Sequence, residues 1–362
     1  MHHQLDPHER PPDGIRAVYK KYQKMKRHEL DQDDDMIDVP LDKDSPAAVD
    51  RKLRLVQEYA AIDLTATFRA FGGQAAPTTV SSRVVAVYEH TDMPGLHIVP
   101  HLLPVQTQSL LLSRLLHRDV SCPRHLTNIH THYALAYPPD HASFFSLSPS
   151  ASTPVATPLD AAVHKPLSVA QLLTKKLRWT TLGGQYDWTA KRYPEAAPPP
   201  FPGDIKHLLE SLFPSTRAEA AIVNLYSPGD TLSVHRDVAE TSSTGLVSVS
   251  LGCDAIFVIG NVSSDGEGGS GQVREKVVTL RLRSGSAVYM SGSSRFAWHG
   301  VPQIVAGTCP EYLKAWPGTL QGEEQEEQEQ EEKERDENTG YQEWSGWMAN
   351  KRVNLNVRQM WD

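Results

Sequence analysis

The sequence predicts a mainly β protein with flanking helices (α+β), whose strand-rich half folds as a jelly roll. From residue 220 onward, short aliphatic and β-branched segments alternate with glycine-containing turns, as in NLYSPGDTLSVH and RSGSAVYMSG. Segments with helical spacing lie mainly before residue 213. Many short strands separated by turns, with few helices between them, are typical of sandwiches and barrels.

The first 80 residues predict little regular structure. A basic segment at 15–30 has the composition of a short helix, and an acidic run at 31–35 follows it. We interpret residues 1–80 as a largely disordered or helical extension, in which a solvated tail is favoured over a docking segment.

The rest of the chain divides into a lead-in and a jelly-roll domain. Residues 81–176 predict strands at 84–88 and 95–99, helices at 104–117 and 168–176, and a Ser/Pro-rich loop at 138–157. Residues 177–362 predict one helix at 203–212 and strands at 220–226, 232–235, 246–251, 255–259, 277–282, 286–290, 301–305 and 353–360. An acidic Glu/Gln tract at about 319–340 has no apolar face and is interpreted as a solvated insertion.

Composition excludes several classes of protein. The net charge of −8 argues against a general nucleic-acid binder, but the acid is concentrated in two runs and a local basic groove stays compatible with it. Three cysteines without CxxC spacing predict neither structural disulfides nor a cysteine zinc site. No apolar run has membrane-spanning length, and the N-terminus has no signal-peptide core. We therefore expect a soluble intracellular monomer without membrane contact, in the nucleus, the cytoplasm or both, with the mitochondrion as a further option.

A metal site is indicated by the segment 224–237, NLYSPGDTLSVHRD, which ends in His235 and Asp237. Two residues apart on an extended segment, their side chains lie on one side of a strand end. His299, in SRFAWHG, is available to complete the set. Two histidines and one carboxylate hold non-haem Fe(II) on one face and leave positions for a bidentate co-substrate and dioxygen. Such a spacing also occurs by chance, so it needs support from other motifs.

The segment 352–358, RVNLNVR, indicates an anion site. Its alternation places four polar side chains on one strand face: Arg352, Asn354, Asn356 and Arg358. Arginines that face a barrel interior are costly unless an anion lies there, and a dicarboxylate co-substrate supplies one. Asn224 and Tyr226 alternate on the strand before the HxD and supply neutral hydrogen bonds to the same ligand. A surface strand with ordinary arginines is the alternative.

Residues 177–193, LRWTTLGGQYDWTAKRY, combine aromatic and basic side chains. The aromatic residues are Trp179, Tyr186, Trp188 and Tyr193. Flat rings beside cations suit a site that stacks an unpaired nucleobase and contacts its phosphates. Packing of the same rings in the core of a hairpin is an equal alternative.

Together these motifs resemble the AlkB family of Fe(II)- and 2-oxoglutarate-dependent dioxygenases. The resemblance is carried by NLYSPGDTLSVHRD (224–237), VSVSLGCDAIFVIG (247–260), GSAVYMSGSSRFAWHGV (285–301) and RVNLNVRQ (352–359). It extends from about Trp179 to the C-terminus, without the acidic tract. LRWTTLGGQYDW and the MSGSSR form are most similar to the eukaryotic AlkB homologue group one.

The resemblance implies a double-stranded β-helix of the 2-oxoglutarate oxygenase type. It also implies oxidative demethylation of N-methylated nucleobases, such as 1-methyladenine or N6-methyladenine in RNA or DNA, with release of formaldehyde, succinate and CO2. The implied metal is Fe(II), the co-substrates are 2-oxoglutarate and O2, and the partner is methylated nucleic acid.

The resemblance also implies residue roles. The implied iron ligands are His235, Asp237 and His299. Arg352 binds the distal carboxylate of 2-oxoglutarate with Tyr226 and Asn354, and Asn224 and Arg358 line the rest of that pocket. Trp179 and Tyr186 contact the base and its strand. Some family members read the base with a carboxylate two residues after the ligand Asp, but that position is Ala239 here, followed by Glu240, so base selectivity does not transfer.

Two other hypotheses stay open. In one, the protein is a 2-oxoglutarate-dependent hydroxylase or demethylase of a protein side chain or a lipid. In the other, it is a non-catalytic nucleic-acid-binding or partner-binding module. Whether succinate production responds to methylated nucleic acid or to peptide distinguishes the first hypothesis from a nucleic-acid demethylase. Titration with iron and 2-oxoglutarate tests the second, because a non-catalytic module need bind neither.

Overall fold

The structure, a computed structural model, describes residues 5–6, 8–39, 52–73, 84–187, 192–194, 196–265, 272–318 and 341–361. Its α-helices are α1 (Asp13–Lys24), α2 (Arg27–Leu30), α3 (Ala61–Gly72), α4 (Val105–Ser113), α5 (Val169–Gln171), α6 (Gly203–Leu212) and α7 (Glu311–Lys314). Its strands are β1 (Met36–Ile37), β2 (Leu53–Tyr59), β3 (Val85–His90), β4 (Met93–Val99), β5 (Tyr133–Leu135), β6 (Ala156–Pro158), β7 (Trp179–Gly183), β8 (Ala220–Tyr226), β9 (Leu232–His235), β10 (Leu246–Gly252), β11 (Ala255–Asp265), β12 (Gln272–Leu282), β13 (Ala287–Met290), β14 (Trp298–Ile304) and β15 (Arg352–Arg358).

Most strands belong to two sheets. The major sheet has eight strands in the order β2-β3-β4-β13-β10-β15-β8-β7, and the minor sheet has five in the order β1-β12-β11-β14-β9. From β8 to β15, every pairing between these strands is antiparallel. From β8 to β15 the chain crosses repeatedly between the two sheets, and only the hairpin β11–β12 places two consecutive strands in one sheet, as is compatible with a jelly roll. The predicted mainly β architecture with flanking helices is therefore confirmed.

Several elements coincide with their predicted ranges. The helix at 203–212 and the strands at 220–226 and 232–235 agree with α6, β8 and β9 to the residue. Strands β11 and β12 are longer than predicted, because they pair along one hairpin from Ala255 opposite Leu282 to Asp265 opposite Gln272. The predicted helix at 104–117 appears as α4, continued by a π-helical turn to Asp119.

The first half of strand β11 in the minor sheet is buried on both faces. On β11, Phe257 and Ile259 belong to the main hydrophobic core between the sheets. The alternate residues Ile256 and Val258 belong to a second cluster on the outer face. Burial of both faces explains the continuous apolar sequence AIFVI, which does not alternate as a half-exposed strand does.

The outer face of the minor sheet is covered by residues 8–39. Ile15 and Tyr22 of α1 pack into the second cluster, and Ile15 is 0% exposed. Strand β1 pairs in parallel with β12. The acidic run is also engaged, since Asp31 accepts a 2.6 Å hydrogen bond from Arg281. The helical option agrees with α1 and α2, but the preference for a solvated tail is wrong for these residues, which pack on the sheet. Strand β2 of the same extension joins the major sheet. The apolar partners of α1 lie more than 200 positions away in sequence, so local patterns did not reveal them.

Several predicted features lie outside the described residues. These are the acidic tract at 319–340, Trp188 and parts of the extension at 1–80. Among the described helices, none combines the length and apolar character that a membrane span requires.

Candidate metal centre and co-substrate pocket

The three predicted iron ligands meet on the minor sheet. His235 ends β9, and it is paired directly with His299 of β14 in the antiparallel register. Nε2 of His235 lies 3.6 Å from Oδ1 of Asp237, and Nε2 of His299 lies 3.8 Å from Oδ2 of Asp237. One ligand atom from each residue lies within 4.8 Å of the other two. Ligands at roughly 2.1 Å from a shared ion are separated by about 3 to 4 Å, so the cluster needs only small adjustments to hold a metal.

Backbone geometry beside His299 makes this pairing feasible. A Cβ atom at Gly300 would lie 2.8 Å from the carbonyl oxygen of Leu232 and 3.1 Å from the nitrogen of Val234. Only glycine therefore lets β9 approach β14 this closely. Before β9, Gly229 turns the chain with a φ of +93°, a conformation that glycine adopts without steric cost.

Backbone carbonyls orient both histidine rings. Nδ1 of His235 donates to the carbonyl of Ser233 at 2.9 Å, and Nδ1 of His299 donates to that of Ala297 at 3.0 Å. These bonds place the proton on Nδ1 and leave the lone pair of Nε2 for a metal. Burial lowers the pKa of His299 to about 4, which keeps its imidazole neutral as ligation requires.

Asp237 is kept ionised by its neighbours. Burial opposes ionisation, but the charge of Arg358 and the hydrogen bond with His235 outweigh it and hold the pKa of Asp237 well below its ordinary value. Nη2 of Arg358 lies 3.4 Å from Oδ2 of Asp237. The structure thus places Arg358 at the metal end of β15. Arg352 is six residues away on the same strand, a span of roughly 20 Å.

Arg352 is a buried cation among neutral groups. It is 1% exposed, and its guanidinium donates to the hydroxyl of Ser250 at 2.8 Å and to the carbonyls of Cys253 and Leu282 at 3.4 Å. Within the described residues it forms no salt bridge. Burial lowers its pKa to about 10, so it retains its charge at neutral pH. A buried cation without a carboxylate partner is costly, and an anionic ligand removes that cost.

Two donors at this position have no acceptor among the described residues. Nε of Arg352 and the hydroxyl of Tyr226 are both buried and without a hydrogen-bond partner. The two residues are directly paired between β15 and β8, so their side chains lie on the same face. Two unfilled donors beside a buried cation fit one carboxylate group of 2-oxoglutarate.

The next row of the major sheet contains two predicted pocket residues and one predicted base-contacting residue. Asn354 pairs with Asn224, which in turn pairs with Trp179 at the edge of the sheet. The amide nitrogen of Asn354 donates to Ser248 Oγ and to Val249 O at 2.9 Å each, so its donors are used within the protein. Trp179 is half-buried on the face that Asn224 and Asn354 share, next to the co-substrate pocket.

Tyr186 lies near the metal end of the site. Its ring packs edge-on against Tyr193 with centroids 5.2 Å apart. Burial raises the pKa of its phenol, and the charges of Asp237 and Glu240 raise it further. Tyr193 in turn lies 3.5 Å from Glu240, which contacts Arg358 beside Asp237, so the Tyr186 ring is one ring away from this group of charged side chains.

Sequence reasoning missed two residues at the site, Glu240 and Arg295. The Glu240 side chain lies 3.1 Å from both Arg295 and Arg358, and Arg295 also donates to the backbone carbonyl of Asp237 at 3.0 Å. The segment MSGSSR contains Arg295, but nothing in its composition distinguishes a buried arginine from an exposed one.

Comparison with known proteins agrees with this geometry. The model of the 2OG-Fe(II) oxygenase superfamily, a family named for its metal and its co-substrate, matches residues 95–358. The N6-methyladenosine RNA demethylase ALKB1 of Pyricularia oryzae is 44% identical over 375 residues, which cover 99% of this chain and 98% of that protein. The N6-methyladenosine RNA demethylase ALKBH of Cryphonectria parasitica is 48% identical over 244 residues, 65% of this chain and 100% of that protein. The tRNA demethylase abh1 of Schizosaccharomyces pombe is 36% identical over 282 residues, 76% of this chain and 82% of that protein. The chain therefore belongs to the 2OG-Fe(II) oxygenase superfamily and, within it, to group one of the AlkB homologues, as its motifs predicted.

Proposed function

We propose that this protein is an Fe(II)- and 2-oxoglutarate-dependent oxidative demethylase of N-methylated nucleobases in RNA or DNA. The observation that carries the proposal is the His235, Asp237 and His299 cluster together with a strand whose buried Arg352 has an unfilled donor. The relatives supply the substrate class, since two are named N6-methyladenosine RNA demethylases and one a tRNA demethylase. N6-methyladenine in single-stranded RNA is therefore the first substrate to test.

The protein's own residues bind and orient the reactants. Arg352 and the Tyr226 hydroxyl would hold the distal carboxylate of 2-oxoglutarate, and Nε2 of His235 and of His299, with the carboxylate of Asp237, would hold the metal. When bound, Fe(II) with 2-oxoglutarate and O2 supplies the oxidising power that hydroxylates an N-methyl carbon, so that formaldehyde, succinate and CO2 leave and the amine is restored. Burial of His299 limits the access of water on its side of the cluster.

Access of the base requires that it leave the stack. A methyl group inside a duplex lies too deep to reach a buried metal, so the base must be unpaired or already single-stranded. Trp179, which is half-buried beside the pocket, and Tyr186, whose ring packs against Tyr193, offer flat faces for such a base. Stacking on such rings is worth about 1–3 kcal/mol per base.

Nucleoside mass spectrometry tests the proposal. The protein is incubated with Fe(II), ascorbate, 2-oxoglutarate and oligonucleotides that carry 1-methyladenine or N6-methyladenine in single-stranded RNA or DNA. His235→Ala, which removes one ligand from a half-exposed position, is the matched control. Loss of one methylated nucleoside with the wild-type protein alone is the expected result.

Two other outcomes are informative. Succinate formation with every nucleoside unchanged would move the substrate to a protein or another class. Loss of methylated nucleoside at equal rates in wild type and His235→Ala would refute the metal site.

A further inference from the structure

Glu240 lies in a buried charge cluster directly behind the metal ligand Asp237. Its side chain is 1% exposed. One carboxylate oxygen lies 3.1 Å from Nη1 of Arg358, and the other lies 3.1 Å from Nη2 of Arg295. Arg358 also contacts the carboxylate of Asp237 at 3.4 Å. Two carboxylates and two guanidinium groups therefore balance one another next to the ligand cluster.

Arg295 fixes the loop that contains Asp237 and Glu240. Its Nη1 donates to the Asp237 carbonyl at 3.0 Å, and its Nε donates to the Thr244 carbonyl at 2.8 Å. The Arg295 side chain thus contacts the start of the loop at Asp237, its middle at Glu240 and its end at Thr244. The loop forms no regular strand between β9 and β10, so the position of Asp237 depends on these side-chain contacts.

The same carboxylate contacts the aromatic side of the site. The hydroxyl of Tyr193 donates to Oε1 of Glu240 at 3.5 Å. The Tyr193 ring in turn packs edge-on against Tyr186, with centroids 5.2 Å apart. Glu240 therefore links the metal ligand Asp237, through Arg358, with the predicted base-contacting residue Tyr186, through Tyr193.

These contacts exclude Glu240 as a reader of the base. Its two oxygens already accept from Arg295, Arg358 and Tyr193, and its side chain has almost no exposed surface. A base-reading carboxylate needs a lone pair directed at the substrate. The neighbouring Ala239 has no such group.

We propose that Glu240 is a positioning residue, which holds Asp237 in place for the metal and Tyr186 in place for the base. Its negative charge offsets the positive charge of one of the two arginines. Without it, the charges of Arg295 and Arg358 would exceed that of Asp237 and would repel a divalent cation at the site. Side chains that orient metal ligands in this way commonly contribute 10–100-fold to metal affinity. The part that concerns the base rests on the proposed function, whereas the part that concerns the metal does not.

Metal titration of Glu240→Gln tests the proposal. The substitution keeps the size of the side chain but removes its charge and offers an NH2 group to an arginine. Mn(II), which is followed directly by electron paramagnetic resonance, is titrated without nucleic acid and without turnover. We expect Mn(II) affinity roughly 10–100-fold weaker than in the wild type. Asp119→Asn is the control, because Asp119 is a 2% exposed carboxylate that pairs with Arg118 and has no contact with the cluster.

The control separates positioning from general stability. Asp119→Asn should lower the thermal midpoint while Mn(II) affinity stays within twofold of the wild type. Equal Mn(II) affinity in folded Glu240→Gln and wild type would overturn the proposal. If Glu240→Gln does not fold, Arg295→Lys is titrated in its place, because it keeps the charge but loses the three-point contact, and the same weakening is expected. Unchanged affinity in that variant would overturn the proposal equally.

Tyr193→Phe tests the link to the base. It removes only the hydroxyl that contacts Glu240, so Mn(II) affinity should stay unchanged. Binding of a fluorescent single-stranded RNA with N6-methyladenine, measured by anisotropy, should weaken by about 2–10-fold, the contribution of one hydrogen bond. Unchanged RNA affinity would refute the link. Absence of RNA binding by the wild type would instead count against the proposed function and leave the metal result intact.

Discussion

Replacement of Tyr226 by Phe should weaken binding of 2-oxoglutarate without destabilising the protein. The Tyr226 hydroxyl is buried and has no hydrogen-bond partner among the described residues. Its ring is 7% exposed and packs with the main core, and Phe preserves that packing. Among the described residues the hydroxyl makes no hydrogen bond that Phe would lose, and in the proposed function it donates to a ligand beside Arg352.

The expected size follows from the bond that is lost. A hydrogen bond to a charged group contributes about 1.5–3 kcal/mol, and 1.4 kcal/mol is tenfold in a dissociation constant. Tyr226→Phe should therefore raise the Kd for 2-oxoglutarate by roughly 10–150-fold. An unsatisfied buried hydroxyl costs about 1–3 kcal/mol, so the free energy of unfolding without ligand should stay equal or increase.

Calorimetric titration with 2-oxoglutarate under anaerobic conditions, with Mn(II) present, measures the Kd, and urea denaturation measures stability. Tyr59→Phe is the matched control, because its hydroxyl donates to the carbonyl of Leu212 at 2.7 Å, away from the pocket. That variant should lose about 0.5–1.5 kcal/mol of stability and bind 2-oxoglutarate normally. If Tyr226→Phe loses stability and keeps its affinity, the assignment of the hydroxyl to the co-substrate is refuted.

Two further variants test the packing of residues 8–39 on the minor sheet and the predicted contact with the base. Ile15→Ala should lower the free energy of unfolding by about 2–5 kcal/mol, because Ile15 is 0% exposed against the minor sheet. The control is Ile62→Ala, since Ile62 is 77% exposed, and equal urea midpoints for the two variants would contradict the packing of Ile15. Trp179→Ala should weaken binding of single-stranded methylated RNA by about 1–3 kcal/mol in an anisotropy titration. The Kd for 2-oxoglutarate should stay within about threefold of the wild-type value, because stacking on the base does not involve the co-substrate. A change in the Kd for 2-oxoglutarate alone would place Trp179 in the co-substrate pocket and not at the base.

The parts of the fold that were predictable are those with short-range signals. The turn at Gly229 and the alternation in RVNLNVR define β8, β9 and β15, since a strand needs only a period of two and a turn residue at each end. The clustering of the candidate metal ligands was predictable for the same reason, because His235 and Asp237 belong to one strand end. Only the assignment of His299 to the same cluster needed the longer motif at 285–301.

The features that were missed depend on contacts between distant segments. In the sequence, Ile15 looks like part of a solvated tail, whereas in the structure it packs against the outer face of β11. Asp31 resembled part of a charged run, although it pairs with Arg281 some 250 positions later. Glu240 and Arg295 are charged residues in polar loops, and polarity alone predicts exposure. Their burial follows from mutual neutralisation, which no local pattern encodes.

The stoichiometry of turnover tests the central claim most directly. Succinate and formaldehyde are quantified together while the protein acts on single-stranded RNA with N6-methyladenine, on the same RNA without the methyl group, and on an N-methylated lysine peptide. We predict equal amounts of succinate and formaldehyde with the methylated RNA, and little of either with the other two. Formaldehyde that follows the peptide, or succinate that is independent of every methylated RNA and DNA strand, would contradict a nucleic-acid demethylase.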